Sequence, residues 1–465
     1  MRVAAALPDR KHVLNACVDR YRFTVAFAAS LVANKVSLLP STHTPEVIRQ
    51  LIEFAPDVFC LTDDARCQIE LPRVGFPEGA GVGGADGAAD AVGVGAAGRA
   101  AGAGDTALVD GAAGAGGIGG AGRVDGTGGA GHAAGAGGVS WRPLEIEQDR
   151  LAAYVFTSGS TGTPLPYKKT WGRLVNCVRL EADRLGLLDG RAHSIVATVP
   201  PQHMYGFESS VLVALQSGNA FSAGRPFYPA DVCSELASVP RPRMLVSTPV
   251  HLRALLAAEV HLPAVDLVLS ATAPLSQNLA REIEQRFETR LLEIYGSTET
   301  GQIASRRSAE TAEWQLFSGV QLVSDQEKTW AEGGHVEQRT AMCDVLEVTA
   351  ADRFLLHGRL SDLVNIAGKR SSLAYLNHQL NAIPGVIDGA FFLREEDDNS
   401  STGVTRVGAV VVAPGLDATA VTDGLRRRVD PVFLPRPLLF VESLPRNETG
   451  KLTLDALRTL TGTGR

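Results

Sequence analysis

Apolar runs that are typical of buried strands alternate with amphipathic segments along most of the chain. Five such runs predict strands, at residues 56–62, 152–158, 193–200, 243–249 and 265–271. Residues 44–55 and 276–287 have apolar side chains at helical spacing, with Thr44 and Ser276 as suitable N-caps. Residues 23–39 predict a buried helix that leads into a strand. The pattern therefore predicts an α/β fold of mainly parallel sheets flanked by helices, with ligands bound at the carboxyl ends of strands.

A separate C-terminal unit is predicted after the sequence GRLSD at 358–362. There the pattern restarts as helix, strand and helix, at residues 373–383, 405–414 and 421–429. We therefore expect a large domain over residues 1–358 and a small α+β domain of roughly a hundred residues over 359–465.

One segment has a different composition. Residues 79–138 are almost entirely Gly, Ala, Val and Asp, with no aromatic residue and a single histidine, His132. Burial of so few large side chains cannot offset the conformational entropy that the segment would lose on ordering. We therefore expect a disordered insertion. The alternative, a glycine-rich phosphate loop, lacks the strand and helix that should flank it.

Charge and cysteine usage exclude several function classes. The formal net charge is −7, which argues against a nucleic-acid partner. The six cysteines form no C-x-x-C pair, so we expect reduced thiols, no structural zinc and a cytoplasmic location. No apolar run is long enough to span a membrane. These features leave the oligomeric state open.

Glycines and hydroxyl side chains follow the predicted strand at 152–158. The run consists of Thr157, Ser158, Gly159, Ser160, Thr161 and Gly162. Its glycines allow close approach of the backbone, and its N–H and hydroxyl groups are suited to binding an anion. A Walker-type loop would have lysine directly after the last glycine, but Thr163 stands there. The sequence therefore predicts either a phosphate cradle of another kind or a simple turn.

Later segments of the chain contain further candidate binding and catalytic residues. Tyr295 could stack on a purine, and the lone carboxylate of Glu299 among hydroxyls is suited to Mg²⁺. Small residues at 270–275 would allow a flat base to approach the backbone. His203 and Phe207 would line an adjacent pocket, although a lone histidine is more often structural. Lys451 follows Gly450 on a turn and would supply a mobile positive charge.

In this order, the motifs resemble the adenylate-forming superfamily, which contains acyl- and aryl-CoA synthetases, luciferases and peptide-synthetase adenylation domains. The resemblance implies that residues 157–162 hold the β- and γ-phosphates of ATP and that Lys451 is the adenylation lysine. Further implied nucleotide contacts are Thr272, Ala273, Pro274, Tyr295, Gly296, Ser297, Asp344 and Arg359. Implied catalytic residues are Lys451, Glu299, Thr298 and His203, with Glu299 and Thr161 at Mg²⁺. The implied acyl pocket comprises His203, Phe207, Thr248 and Ser270.

The resemblance also implies a two-step reaction. A carboxylic acid attacks the α-phosphate of MgATP to give an acyl-adenylate, and a phosphopantetheine thiol then takes the acyl group. Catalysis would consist of positioning and charge neutralisation. The small domain would act as a lid that rotates about a hinge at Ser361 and Asp362 between the two steps.

Several features depart from the family pattern. The basic residues after the phosphate loop are shifted to Lys168 and Lys169, and Ala341-Met342-Cys343 replaces the usual Thr-Gly-Asp before Asp344. The start of the chain resembles the compact ligases of aryl-polyene and xanthomonadin-type pathways, which implies an aromatic or fatty acid loaded onto an acyl carrier protein. The alternatives are a ligase that uses free coenzyme A, a non-catalytic nucleotide-binding homologue and a luciferase.

Overall fold

The computed structural model describes residues 1–40, 42–77, 145–157, 165–258, 260–325, 328–359, 363–366, 369–393, 406–446, 452 and 454–461. The predicted insertion at 79–138 and the predicted hinge at Ser361 and Asp362 lie outside these residues.

The helices in the described ranges are α1 Arg2–Ala6, α2 Arg20–Val32, α3 Pro45–Phe54, α4 Trp171–Leu185, α5 Met204–Gly206, α6 Val213–Ser217, α7 Pro229–Ser238, α8 Pro249–Ala257, α9 Gln277–Phe287, α10 Leu373–Asn381, α11 Ala418–Arg426 and α12 Leu454–Thr461. A π-helical segment, Phe207–Leu212, joins α5 to α6, and a 3₁₀ turn spans Pro431–Phe433.

The strands in the same ranges are β1 His12–Asn15, β2 Val36–Leu39, β3 Phe59–Thr62, β4 Arg73–Gly75, β5 Leu151–Thr157, β6 Leu165–Thr170, β7 Ser194–Ala197, β8 Ala220–Phe221, β9 Arg243–Ser247, β10 Leu267–Ser270, β11 Arg290–Ser297, β12 Gly301–Arg306, β13 Trp314–Leu316, β14 Val320–Ser324, β15 Thr329–Gly333, β16 Thr340–Ala341, β17 Asp344–Ala350, β18 Arg353–Arg359, β19 Leu363–Ile366, β20 Lys369–Ser372, β21 Asp388–Leu393, β22 Val407–Val412 and β23 Leu438–Phe440.

Two large sheets organise the fold and confirm the α/β prediction. The six-stranded sheet has the order β4-β3-β1-β2-β5-β6 and is parallel except for the β5–β6 hairpin. The nine-stranded sheet has the order β17-β18-β13-β12-β11-β10-β9-β7-β8. Its strands β11, β10, β9, β7 and β8 are parallel, as expected. The strands β12, β13, β18 and β17 add an antiparallel half that the pattern did not predict.

Local capping fixes two of the predicted helices. Thr44 Oγ1 accepts a hydrogen bond from Val47 N at 3.5 Å, and Ser276 Oγ accepts one from Leu279 N at 3.2 Å. Each bond satisfies a backbone donor that the first helical turn leaves without a partner. Both helices therefore begin where the sequence predicted.

The helix α2 packs against the helix that leads out of β7. The Phe27 ring lies 4.8 Å from the Phe207 ring in an edge-to-face arrangement, and Phe23 meets the same ring at 6.3 Å. The buried guanidinium of Arg20 donates to Ala197 O at 3.1 Å and to Val199 O at 2.9 Å. These contacts join the two large sheets in one core, because α2 connects β1 and β2 of the six-stranded sheet and β7 is a strand of the nine-stranded sheet.

The C-terminal residues form a hydrophobic cluster of their own. It includes Leu376, Leu380, Val411 and Leu425, which come from α10, β22 and α11. Helices and strands appear there in the predicted order, whereas the domain boundary at residue 358 stays a prediction. Across the described ranges, no helix has both the length and the apolar character needed to cross a membrane.

Candidate functional site

Tyr295 and Asp344 meet near the end of β11, although they are 49 residues apart in the sequence. Tyr295 Oη donates a hydrogen bond to Asp344 Oδ2 at 2.5 Å. The centroid of the Tyr295 ring lies 5.4 Å from that of Trp314 and 5.5 Å from that of Phe354. Tyr295 is therefore only 9% exposed. Two residues that the sequence assigned to nucleotide binding are therefore brought together and held rigidly.

The turn after Tyr295 presents Thr298 and Glu299 at the surface. Ser297 N donates to Thr300 Oγ1, and Thr300 N donates to Ser297 Oγ, each at 3.2 Å, which closes the turn. A Cβ at Gly296 would lie 2.2 Å from Gly301 O, so the close approach of β11 and β12 requires glycine there. The side chains of Thr298 and Glu299 are half-buried, and thus remain accessible to a ligand.

The neighbouring strand β6 supplies a buried cation beneath this turn. Lys169 is 3% exposed, and its Nζ donates to the backbone oxygen of Glu299 at 3.2 Å. Burial lowers the pKa of Lys169, while the carboxylates of Glu208 and Glu337 act in the opposite direction. The adjacent Lys168 is exposed.

Buried polar groups continue behind Lys169, between α4, the π-helical segment and β12. Cys177 Sγ donates to Glu208 Oε1 at 3.3 Å. In the orientation that gives both amide atoms of Gln302 a hydrogen-bond partner, the nitrogen donates to the two Glu181 carboxyl oxygens at 3.3 and 3.2 Å. The amide oxygen accepts from Ser209 Oγ at 2.8 Å. Burial raises the pKa of Glu208 to about 7 and that of Glu181 to about 8. This cluster therefore holds carboxyl groups that titrate near neutral pH.

The carboxyl ends of β9 and β10 are held together by Tyr205. Its hydroxyl lies 3.1 Å from Ser247 O and 2.9 Å from Leu269 O. Directly after β10, Thr272 has a φ of 78°, which is unusual for a residue with a side chain. Thr272 and Ala273 are half-buried and Pro274 is exposed, so this turn is open to a ligand, as the prediction for the adenine site requires.

The structure alters the predicted acyl pocket. Phe207 is fully buried, with its ring against Phe23 and Phe27, so it belongs to the core and does not face an open cavity. Thr248 and Ser270 are also fully buried, and Thr248 Oγ1 contacts His251 Nδ1 at 3.1 Å. His203 is half-buried at the start of α5, in a position that a ligand can reach.

Several predicted site residues stay predictions. Residues 158–162 of the phosphate loop and Lys451 lie outside the described residues. Thr157 is the last residue of β5 and pairs with Leu165 through the backbone. The backbone of Arg359 pairs with that of Asp344 in the β17–β18 ladder.

Comparison with known proteins finds a family match over part of the chain. Residues 121–324 match the family model described as AMP-binding enzyme. The chain carries an AMP-binding enzyme domain. It is 28% identical over 299 residues to a 4-coumarate–CoA ligase of Rhodobacter capsulatus, covering 63% of this chain and 73% of the relative. A 4-chlorobenzoate–CoA ligase of an Arthrobacter species is 25% identical over 362 residues, covering 67% and 66% of the two chains.

The fold of this AMP-binding enzyme matches solved structures over its whole length. ATP-bound MatB from Rhodopseudomonas palustris superposes with a TM-score of 0.72 at 18% identity, covering 99% of this chain and 91% of that one. At this level of identity the match shows the fold alone.

Sequence reasoning missed three of the buried polar residues at this site. Nothing in the local pattern distinguished Lys169 from Lys168, although their adjacent positions on a strand imply opposite faces. Glu208 is the single Asp, Glu, Lys or Arg in residues 204–217, and a charged residue there was a usable signal. The bonds made by the Tyr205 hydroxyl depend on the distant strands β9 and β10 and had no signal in the sequence.

Proposed function

We propose that this AMP-binding enzyme activates an aromatic or fatty carboxylic acid with ATP and transfers the acyl group to a thiol. The observation that carries the proposal is the meeting of Tyr295 and Asp344, with a 2.5 Å hydrogen bond, beside the turn that presents Glu299. A carboxylate held by a tyrosine hydroxyl is suited to accepting hydrogen bonds from the ribose of a nucleotide. The turn after β10 offers backbone to the adenine.

The residues at the turn fit a magnesium–nucleotide complex. In the described part of the chain, no three His, Cys, Asp or Glu side chains converge on one point, so Glu299 would act as a single protein carboxylate. Mg²⁺ is commonly held by one or two carboxylates, the substrate phosphates and water. When bound, the ion would neutralise negative charge on the phosphates. Thr161 is proposed as a second ligand from the sequence.

The reaction requires little covalent chemistry from the protein. A carboxylate oxygen of the acid forms a bond to the α-phosphorus, and pyrophosphate leaves with the electrons of the broken bond. We propose that residues 157–162 and Lys451 stabilise the developing charge, and that Thr298 and His203 position the reacting groups. We propose Ser361 and Asp362 as the hinge about which the small domain, residues 359–465, closes.

The acyl pocket is proposed to centre on His203. Its half-buried ring stands at the start of α5, whereas Phe207, Thr248 and Ser270 are enclosed in the core. The mixture of ring and small side chains proposed for the pocket suits a flat, mostly apolar acid. The curated relatives include a 4-coumarate and a 4-chlorobenzoate ligase, which supports an aromatic acid.

The thiol acceptor is proposed to be the phosphopantetheine of an acyl carrier protein, as in the aryl-polyene and xanthomonadin-type ligases that the start of the chain resembles. The alternative acceptor is free coenzyme A. The names of the curated relatives favour it, since they are CoA ligases. A cytoplasmic location is proposed in either case.

The test is carboxylate-dependent ATP–pyrophosphate exchange across benzoic, cinnamic and fatty acids, with Lys451→Ala as the inactive control. Exchange with one class of acid, absent in the variant, is the expected result. The acceptor is then decided by comparing acyl transfer to a purified carrier protein with transfer to coenzyme A. MgATP binding without exchange for any acid would favour the non-catalytic nucleotide-binding alternative.

A further inference from the structure

The two lysines of β6 have different environments, although they are neighbours in the sequence. Lys168 is exposed, whereas Lys169 is 3% exposed and donates to the backbone oxygen of Glu299 at 3.2 Å. Successive side chains of a strand point to opposite faces, so the strand fixes which lysine is buried. The contact therefore follows from the register of β6 and does not depend on a flexible loop.

The acidic side chains around Lys169 favour its charged form. It shares a small cavity with Glu208, Thr300, Gly301 and His335, and that cavity has about 10 Å³ available to the centre of a water molecule. Glu208 is 1% exposed, so the cavity lining includes a buried carboxyl group. The cavity is of the size that holds one water between polar groups.

Stability alone does not explain a lysine at this position. Removing an ammonium group from water costs several kcal/mol, and an apolar residue of similar volume often replaces a buried ion pair without loss of stability. The hydrogen bond of Lys169 is made to the backbone of Glu299, not to a structural side chain. It restrains the peptide group between Glu299 and Thr300.

We propose that Lys169 is a positioning residue that holds the Glu299 turn so that the carboxylate faces the magnesium of bound MgATP. This inference rests on the proposed function. Without the Lys169 bond, the turn keeps the Ser297–Thr300 hydrogen bonds and the contact of the Glu299 carboxylate with the Tyr167 hydroxyl, but its backbone loses the hydrogen bond to β6. The carboxylate then samples orientations that do not meet the metal, and nucleotide binding loses its dependence on magnesium.

The test measures ATP affinity by calorimetry, once with excess Mg²⁺ and once with EDTA. In Lys169→Met the dissociation constant with Mg²⁺ is expected to rise about tenfold or more, as for a lost hydrogen bond to a charged group, while the constant with EDTA stays within about twofold. Lys168→Met on the same strand is the matched control and is expected to bind as the wild type does. Thermal unfolding of each variant checks that it is folded.

A double variant separates positioning from charge compensation. Lys169→Met alone leaves the Glu208 carboxyl group buried without its cation, which can impair folding. Lys169→Met with Glu208→Gln removes both charges and should restore stability but not magnesium-dependent affinity. Wild-type affinity for MgATP in a folded double variant would overturn the inference.

The same measurements distinguish this inference from the proposed reaction. Magnesium-dependent ATP binding by the wild type, without exchange for any acid, overturns the proposed reaction and still allows the effect of Lys169 to be measured. ATP binding by the wild type that is insensitive to magnesium overturns the role assigned to Lys169.

Discussion

Glu181 is expected to make the stability of the protein depend strongly on pH. It lies on α4, is fully buried and accepts hydrogen bonds from the Gln302 amide. Burial raises its pKa from the ordinary 4.5 to about 8, and the neighbouring Glu208 carboxyl group adds to the increase. Cys177 on the same helix, Tyr205 on the facing segment and Lys169 on β6 are further titratable groups close to these carboxyls.

The sign of the effect follows from proton binding. Between pH 4.5 and 8, folded Glu181 keeps a proton that the unfolded chain has already released. The free energy of unfolding therefore falls as the pH rises, by about 1.4 kcal/mol per pH unit and by about 4 kcal/mol across the whole interval. Glu181→Gln has nearly the same shape and cannot ionise, so it removes this loss.

Urea unfolding of the wild type and Glu181→Gln at pH 5, 7 and 8.5 measures the effect. At pH 5 the two proteins should differ little, whereas at pH 8.5 the variant should be more stable by about 3–4 kcal/mol. Glu282→Gln, at an exposed position on α9, is the control and should show no such trend. A stability difference between Glu181→Gln and the wild type that is the same at all three pH values would refute the reasoning.

Three further substitutions address the nucleotide site. Tyr295→Phe keeps the ring contacts but removes the 2.5 Å bond to Asp344, so ATP should bind about tenfold more weakly in calorimetry; unchanged affinity would show that the bond does not serve nucleotide binding. Gly296→Ala would place a Cβ 2.2 Å from Gly301 O, so thermal unfolding should show a loss of more than about 2 kcal/mol, and unaltered stability would contradict the close packing of this turn. Lys451→Ala should abolish exchange yet spare acyl transfer from supplied acyl-adenylate to a thiol, and loss of both steps would contradict the assigned hinge.

The elements of the fold were predictable where the sequence signal is local. The strands β3, β7, β9 and β10 lie within the apolar runs that predicted them, and β5 begins one residue before its run. The helices α3 and α9 begin at the predicted caps, because capping depends on residues only three positions apart. The antiparallel half of the nine-stranded sheet had no such signal, since its pairing joins β13 to the distant β18.

The candidate site was predictable only in part, for the same physical reason. The pairing of Tyr295 with Asp344 agrees with motif order, whereas the enclosure of Phe207 depends on α2, which is nearly two hundred residues earlier. A single phenylalanine cannot show whether its ring faces a ligand or another helix. The burial of Lys169 likewise depends on which face of β6 meets the core.

The strand order of the first sheet limits how the chain between β4 and β5 could be shortened. These strands are parallel and four positions apart, with β3, β1 and β2 between them. At about 4.8 Å per strand the lateral step is about 19 Å, and the return along β5 adds about 23 Å, so the ends lie about 30 Å apart. Any shortened chain must therefore retain a crossover of at least about nine extended residues. Removal of residues 79–138 alone respects that limit, so a trimmed protein for crystallisation can be designed without altering either strand.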